Sequence, residues 1–196
     1  LVFGDSIAYG AGDEKEGGWV NRLRKVLDEE SFTSFDFYHL VYNLAVSGDS
    51  SDDLLERFEL EASQRLKEGE GTTFIFAIGI NDSQFIHGQN SPRCSLLEFR
   101  NNLQKLIKLA EKFSSKLIFV GLTPVGEIKT TPLPWNNDKS YKNEYIKKYD
   151  EMIKSVCLEN KIYFIEVFDK LIQLDYKNLL ADGLHPNSSG HQKIFE

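Results

Sequence analysis

The sequence has 196 residues, of which 41% are hydrophobic and 27% are charged, as expected for a single globular domain spanning residues 1–196. Its net charge is −7, and the 23 basic residues are interspersed with 30 acidic ones, which argues against nucleic acid as a partner because such proteins carry a basic patch. No run approaches the roughly 20 apolar residues that cross a bilayer, so we expect no integral membrane segment.

Both ends of the chain fall inside predicted elements. Leu1 begins an apolar run typical of a strand, and residues 191–196 have the character of a helix, so we expect a few residues to be missing at each terminus. Cys94 and Cys157 are far apart and form no C-x-x-C pair. We therefore expect two unpaired thiols and a cytoplasmic location, with a disulfide as the alternative.

Five short apolar runs predict β-strands, because each is rich in Val, Ile and Phe and is bounded by Gly, Asn, Ser or Thr. Their nearly continuous apolarity is typical of strands buried on both faces of a sheet. The predicted strands are residues 1–3, 37–44, 73–78, 116–122 and 162–167.

Between the strands, apolar residues recur at steps of three and four, which predicts amphipathic helices. The stripes cover residues 54–66, 96–110 and 145–156, and residues 19–27 follow the pattern less closely. Ser50 followed by Asp53 resembles a capping box and predicts a helix that starts near residue 51. Strands that alternate with helices predict an α/β fold, with a mainly parallel sheet covered on both faces.

Two segments break this alternation, residues 83–95 and residues 125–140, and each follows the carboxyl end of a strand. Ligands of open α/β sheets bind in the crevice beyond those ends. We therefore expect both loops to form walls of a substrate pocket.

Gly4-Asp5-Ser6 directly follows the first predicted strand. A serine at this point would expose its hydroxyl at the rim of the sheet, close to the backbone N–H groups of a helix start. The alternative is that Ser6 only caps the first helix.

Asp182-Gly183-Leu184-His185-Pro186 lies near the end of the chain. A serine hydroxyl needs a base to take its proton, and histidine suits that role near neutral pH. Asp182 could fold back across the turn and orient the imidazole of His185. The alternative is a turn with an exposed histidine.

Two further segments follow the third and the second predicted strands. The side chain of Asn81, in Gly79-Ile80-Asn81-Asp82, is a candidate donor to a developing oxyanion. Gly48, in Ser47-Gly48-Asp49, would let its backbone N–H approach a ligand closely, with ordinary turn formation as the alternative. We expect Asp82 to brace its loop and not to react.

Together these segments supply a nucleophile, a base with an orienting acid, and oxyanion donors, which are the roles that acyl transfer requires. Other interpretations are weaker. Gly10 and Gly12 lack the third glycine of a dinucleotide-binding loop. Asp182, His185 and His191 could instead hold zinc. A non-catalytic ligand-binding protein on the same fold is the remaining alternative.

The four segments, taken in order, resemble the four blocks of the SGNH (GDSL-type) hydrolase family over nearly the whole chain. Two positions depart from the family pattern, since Ile7 replaces the usual Leu and Ala45 replaces a common Gly. The matching blocks are G-D-S-I at 4–7, N-L-A-V-S-G at 43–48, G-I-N-D at 79–82 and D-G-L-H-P at 182–186.

The resemblance implies a flavodoxin-like three-layer sandwich with helices on both faces of a five-stranded parallel sheet of order 2-1-3-4-5. It implies a serine esterase that uses no cofactor or metal and acts on a small-molecule ester of O-acyl, aryl, thio- or lysophospholipid type. The implied triad is Ser6, His185 and Asp182; the implied oxyanion hole is Ser6, Gly48 and Asn81; and Asp5 and Asp82 would support the site.

Overall fold

The computed structural model describes residues 1–34, 38–67 and 69–196. The strands are β1 (Val2–Gly4), β2 (Phe74–Ala77), β3 (Phe85–Ile86), β4 (Ser91–Pro92), β5 (Leu117–Val120), β6 (Lys139–Ser140) and β7 (Tyr163–Ile165). The helices are α1 (Ser6–Tyr9), α2 (Trp19–Ser34), α3 (Ser51–Ser63), α4 (Leu96–Glu111), α5 (Glu127–Thr130), α6 (Asn143–Asn160), α7 (Phe168–Ile172) and α8 (Ser188–Phe195), with short 3₁₀ helices at His87–Gln89 and Tyr176–Leu179.

The centre of the protein is a four-stranded parallel sheet of order β1-β2-β5-β7. Aromatic rings from its strands and from α3 form much of the core: Phe3 of β1 lies 5.0 Å from Phe58 of α3, and Phe76 packs against Phe119 of the neighbouring strand at the same distance. All four of these rings are buried. Removing this aromatic surface from water is the main force that holds α3 against the sheet.

The predicted strand at residues 37–44 is only partly realised, so the five-stranded order is not confirmed. Residue 37 lies outside the described residues, and among residues 38–44 there is a single parallel bridge, between Asn43 and Val2. The segment still runs beside β1, because the N–H of Leu44 donates to the carbonyl of Val2 (2.8 Å) and that of Val46 to Gly4 (3.0 Å). The exposed side chains of Tyr38 and Leu40 give it little packing against the sheet, in contrast to the central strands.

Helices lie on both sides of this sheet, which confirms the predicted α/β layers. Helices α3, α4 and α6 pack side by side, and α2 packs against α8. The predicted capping box is present, since Ser50 precedes α3 and its N–H donates to the carboxylate of Asp53 at 2.8 Å. None of the described helices is long and apolar enough to cross a membrane.

The two loops that break the alternation pair with each other, which the sequence did not predict. Strands β4, β3 and β6 form a small antiparallel sheet, in which Phe85 lies opposite Ser140 and Ile86 opposite Lys139. Strands of two residues are too short to show an alternating pattern in the sequence. The small sheet joins residues 83–95 to residues 125–140 close to the carboxyl end of β2.

Candidate active site

Ser6 lies at the point where β1 gives way to the short helix α1. The helix is capped by the preceding residue, since the side chain of Asp5 accepts a hydrogen bond from the N–H of Ile7 at 2.9 Å. The alternative in which Ser6 is the cap is therefore wrong. Its side chain is left to make another contact, although the residue is only 6% exposed.

That contact is with His185, which is 179 positions away in the chain. The Oγ of Ser6 lies 3.0 Å from Nε2 of His185. On the other side of the ring, Nδ1 of His185 lies 2.7 Å from Oδ2 of Asp182. The three side chains therefore form a continuous hydrogen-bonded chain. Because a carboxylate can only accept, the proton of the neutral imidazole lies on Nδ1, and Nε2 accepts from the serine hydroxyl.

The turn that carries Asp182 and His185 is held by its own backbone. The N–H of Ala181 donates to the carbonyl of His185 (2.8 Å), and Oδ1 of Asp182 accepts from the N–H groups of Leu184 and His185, both at 2.8 Å. Partial burial disfavours the carboxylate, but the hydrogen bonds from His185 and Leu184 outweigh it and lower the pKa of Asp182. Asp182 is therefore ionised at neutral pH.

Gly48 lies in the loop between α3 and residues 38–44, the segment at the edge of the sheet beside β1. Its φ of +90° is in the left-handed region, which favours glycine. Its carbonyl accepts a hydrogen bond from Nη1 of Arg93 (3.0 Å). Within the described part of the chain, no acceptor receives the N–H of Gly48 or that of Ser6, so both donors are available to a ligand.

Asn81 follows β2, and its side chain contacts the Gly48 loop. Its Nδ2 donates to the carbonyl of Asp49 at 2.8 Å, and its Oδ1 accepts from the hydroxyl of Tyr141 at 2.6 Å. An amide nitrogen carries two hydrogens, so one donor remains for another partner.

The two neighbouring acids lie beneath these loops, and both are buried. Asp82 accepts hydrogen bonds from the N–H of Ser51 (3.0 and 3.1 Å) and from its hydroxyl, and so joins the start of α3 to the Asn81 loop. Burial raises the pKa of Asp82 to about 6. Burial likewise raises the pKa of Asp5 to about 7, opposed by the hydrogen bond from Ile7 and the charge of His185.

Several residues that brace the site were missed in the sequence. The side chain of Arg57, on α3, is only 18% exposed. It donates to the Asp49 carboxylate at 2.7 Å and to the Leu44 carbonyl at 2.8 Å. Arg93 connects the Gly48 carbonyl to the Asp53 carboxylate, the latter at 2.7 Å. Their partners are distant in sequence or are backbone atoms, so no local pattern marks them.

Behind His185, a buried ion pair joins the loop after α1 to α8. Arg22 donates to Asp13 and also to the carbonyl and hydroxyl of Ser188, at 3.1 and 3.0 Å. Burial opposes ionisation of Asp13, but the hydrogen bond from Arg22 and those from backbone N–H groups lower its pKa. Arg22 thereby holds the start of α8, which follows the His185 turn, against the loop after α1.

The apolar side chains of the two loops expected to form pocket walls differ in their exposure. Leu133 is buried, Phe85 stacks on the ring of Tyr145 with the centroids 5.3 Å apart, and Trp135 is exposed. Leu133 and Phe85 thus contribute to packing.

Two cavities differ in their relation to the site. One, of about 410 Å³, adjoins Gly183 and is lined by parts of α5 and the second 3₁₀ helix, among them Ile128, Tyr176 and Leu180. Another, of about 480 Å³, is lined by Leu1, Thr73 and neighbouring residues. It lies at the amino ends of β1 and β2, which is the edge of the sheet opposite Ser6.

The zinc alternative does not match the positions of its three residues. His191 is buried, and its Nε2 lies 3.0 Å from the carbonyl of Ala11, while Asp182 and His185 contact each other. In the part of the chain that the structure describes, no three His, Cys, Asp or Glu side chains form a group that could hold a metal ion. Cys94 and Cys157 are both free and buried, in agreement with the expectation of unpaired thiols.

Comparison with known proteins confirms the resemblance. Residues 2–193 match the model of the GDSL-like Lipase/Acylhydrolase family. The chain is 27% identical over 211 aligned residues to the uncharacterized protein YpmR of Bacillus subtilis (strain 168), and the alignment covers 97% of this chain and 76% of that protein.

Solved structures with the same fold include two bacterial enzymes. An acetylxylan esterase from Geobacillus stearothermophilus, Axe2, superposes with a TM-score of 0.73 at 20% identity, covering 100% of this chain and 89% of that one. A lipase/acylhydrolase from Enterococcus faecalis gives a TM-score of 0.73 at 19% identity, covering 99% and 90%. At these identities the likeness establishes the fold.

Proposed function

Because this chain belongs to the GDSL-like lipase/acylhydrolase family and is a carboxylic ester hydrolase, we propose that it cleaves its ester with Ser6 as the nucleophile. In this proposal His185 is the general base, Asp182 orients it, and an acyl-enzyme is the intermediate. The hydrogen-bonded chain from Ser6 through His185 to Asp182 carries the proposal.

Acylation begins when Nε2 of His185 takes the hydroxyl proton of Ser6 as Oγ attacks the ester carbonyl carbon. The carbonyl oxygen becomes an oxyanion, and the N–H groups of Ser6 and Gly48 and the Nδ2 of Asn81 donate to it. When the carbonyl re-forms, the bond to the alcohol oxygen breaks, and His185 returns the proton to the leaving alcohol. The acyl group is then esterified to Ser6.

Deacylation repeats these steps with water. His185 takes a proton from a water molecule that attacks the acyl carbon, and the same donors stabilise the second oxyanion. Collapse releases the carboxylic acid, and the proton on His185 returns to the Oγ of Ser6. No other co-reactant is needed, since the reaction consumes only ester and water.

Asp182 has two tasks in this proposal. Its ionised carboxylate holds the Nδ1 proton, so that Nε2 faces the serine as an acceptor, and it stabilises the imidazolium that forms in each step. The other oxygen holds the turn through backbone N–H groups. Asp5 and Asp82 support the site from behind, by capping α1 and by joining the Asn81 loop to α3.

The substrate we propose is a small carboxylic ester with a short acyl chain. The Axe2 structure, whose title names an acetylxylan esterase, makes an O-acetyl sugar one candidate among O-acyl, aryl, thio- and lysophospholipid esters. Leu133 is buried and Phe85 stacks on Tyr145 of α6, which leaves less apolar side-chain surface in the two loops for a long acyl chain.

The test is the intact mass after reaction with a fluorophosphonate, which needs an activated serine and an oxyanion hole but no knowledge of the natural ester. We expect one adduct on the wild type and none on Ser6→Ala. Ser63→Ala, which removes an exposed hydroxyl bonded to the carbonyl of Leu60, should label like the wild type. A wild type that takes up no label and hydrolyses no p-nitrophenyl ester would refute the proposal.

A further inference from the structure

Asn81 is held in one orientation by two partners on different segments. Its Nδ2 lies 2.8 Å from the carbonyl oxygen of Asp49, and its Oδ1 lies 2.6 Å from the hydroxyl of Tyr141. A carbonyl oxygen can only accept, so the atom facing Asp49 must be the nitrogen, and the hydroxyl of Tyr141 must donate to the oxygen. This pair of contacts assigns the amide without ambiguity.

We propose that Tyr141 is a positioning residue for ester hydrolysis, which fixes the Asn81 amide so that its remaining N–H faces the oxyanion. The inference rests on the proposed function, because it assumes that Asn81 stabilises the oxyanion. An amide turned by half a rotation would direct its oxygen toward the negative charge and would oppose the reaction. In that orientation the amide oxygen would face the carbonyl of Asp49, and the proton of the Tyr141 hydroxyl would lose its acceptor, so both partners favour the observed orientation.

Tyr141 is itself firmly held. It is 3% exposed, and Asn81 is 6% exposed. The backbone N–H of Tyr141 donates to the carbonyl of Thr130 at 2.9 Å. The backbone carbonyl of Tyr141 accepts from the hydroxyls of Thr130 and Thr131 at 2.9 and 3.0 Å. The backbone of the tyrosine is therefore tied to the end of α5, and the ring has little room to move.

The hydroxyl of Tyr141 must keep its proton in order to donate to the Oδ1 of Asn81. Burial, followed by the charge of Asp5, raises the pKa of the Tyr141 hydroxyl well above its ordinary value. The hydroxyl thus keeps its proton over the working range of an esterase. Tyr141 directly follows β6, which pairs with β3, so the small sheet between the two loops places the hydroxyl that orients the amide.

The orientation of the Asn81 amide matters because an oxyanion donor is effective only when it is already aimed as charge develops. If Oδ1 loses its donor, a buried acceptor is left unsatisfied, and only the carbonyl of Asp49 then restrains the last torsion of the side chain. The oxyanion forms only during the reaction, so we expect the loss to affect kcat and not ground-state binding of the ester.

The experiment is a double-mutant cycle on hydrolysis of p-nitrophenyl acetate, with Tyr141→Phe, Asn81→Ala and the double variant. Loss of an oxyanion donor lowers kcat by about 10²–10³-fold, and we expect that for Asn81→Ala. Loss of one neutral hydrogen bond is worth about tenfold, and we expect Tyr141→Phe to lower kcat by about that factor with KM unchanged. The double variant should match Asn81→Ala, because Tyr141 acts only through Asn81.

Tyr149→Phe is the matched control. Tyr149 is also buried, and its hydroxyl donates to the carbonyl of Cys94, away from Asn81. Tyr149→Phe removes a buried phenolic oxygen, as Tyr141→Phe does, and it should leave kcat unchanged.

Losses that multiply in the double variant, or a Tyr141→Phe enzyme as fast as the wild type, would overturn the inference. If Asn81→Ala retains full activity while Ser6→Ala is inactive, the oxyanion role of Asn81 fails and the inference fails with it, although serine catalysis stands. An inactive, unlabelled wild type identifies instead a failure of the proposed function.

A measurement on the wild type serves if Tyr141→Phe does not fold. The side-chain NH₂ group of Asn81 should have an NMR order parameter close to that of the rigid backbone, because the amide does not turn about its last torsion. The proton bonded to Asp49 should exchange slowly with solvent. A low order parameter or rapid exchange would contradict a fixed amide.

Discussion

Asp182 accepts hydrogen bonds from two groups of the same residue, His185: the imidazole Nδ1 at 2.7 Å through Oδ2, and the backbone N–H at 2.8 Å through Oδ1. One carboxylate therefore sets both the position of the His185 backbone and the tautomer of its ring. This double contact is local, since the residues are three apart, whereas the contact that it serves spans 179 positions.

The first prediction concerns Asp182→Asn. The amide oxygen can still accept from the backbone, but its NH₂ group would then face Nδ1 and force the imidazole proton onto Nε2. The ring could no longer accept the proton of Ser6, and we expect kcat to fall by about 10⁴-fold with the fold retained. Circular dichroism checks the fold, and hydrolysis of p-nitrophenyl acetate checks the rate. Activity within tenfold of the wild type would show that Asp182 does not orient His185.

The second prediction is the dependence of kcat/KM on pH. His185 must be neutral to act as a base, so the rate should fall toward acid pH. Burial raises the pKa of Asp5 to about 7, so Asp5 also gains a proton as the pH falls and must be tested separately. The profile should be measured for the wild type and for Asp5→Asn, and the acid limb should persist in the variant. A rate that stays flat between about pH 5 and 8 would count against His185 as the base.

The third prediction is that Asp5→Asn raises stability at alkaline pH. Because burial raises the pKa of Asp5 in the fold from 3.8 to about 7, the native state binds more protons than the unfolded state between those values. Stability of the wild type should therefore fall as pH rises through that window.

The neutral amide of the Asp5→Asn variant does not pay this ionisation cost and can still cap Ile7. Its advantage, a few kcal/mol at most, should be complete above about pH 7 and vanish as pH falls toward 4. Urea unfolding at pH 8 and pH 4.5 measures it. If the free energies of unfolding of Asp5→Asn and the wild type differ by the same amount at both pH values, Asp5 does not titrate in this range.

The fourth prediction compares two glycines that both have φ near +90°. A Cβ on Gly12 would lie 2.3 Å from the carbonyl oxygen of Pro186 and 3.2 Å from Cβ of His185, whereas a Cβ on Gly48 would meet no atom within 4 Å. Gly48→Ala should cost only the left-handed conformation, about 1–2 kcal/mol of the free energy of unfolding.

Gly12→Ala should cost more than Gly48→Ala and should also lower kcat, because the added methyl displaces the chain that carries His185. Urea unfolding and hydrolysis of p-nitrophenyl acetate provide the two readouts. Equal losses of stability in the two variants would show that the loop after α1 yields without moving the His185 turn.

The fifth prediction concerns acyl chain length. We expect p-nitrophenyl esters of short acids to give the highest kcat/KM, since Leu133 and Phe85 are occupied in packing the loops near the site. The measurement is a series from acetate upward at substrate concentrations below micelle formation. A maximum beyond about ten carbons would contradict a short acyl site and would indicate binding energy from a longer apolar surface.

Much of the scaffold could be predicted from the sequence because its signals are local. Four of the five predicted strands overlap β1, β2, β5 and β7, and their order agrees with the expected one without its edge strand. The start of α3 followed from Ser50 and Asp53, whose capping contacts lie within one turn. The predicted strand at residues 37–44 is only partly realised, because apolar residues alone do not show whether a segment packs against its neighbour.

The candidate site divides in the same way. The sequence by itself determined the four blocks and the chemical type of each side chain, since Ser, His, Asp and Asn in short motifs are readable residue by residue. Only the tertiary structure decided that Ser6 and His185 meet, that Tyr141 donates to Asn81 and that Arg57 binds the Asp49 loop. These contacts join segments with no local pattern in common, and they exist only because strand pairing and loop packing bring those segments to one edge of the sheet.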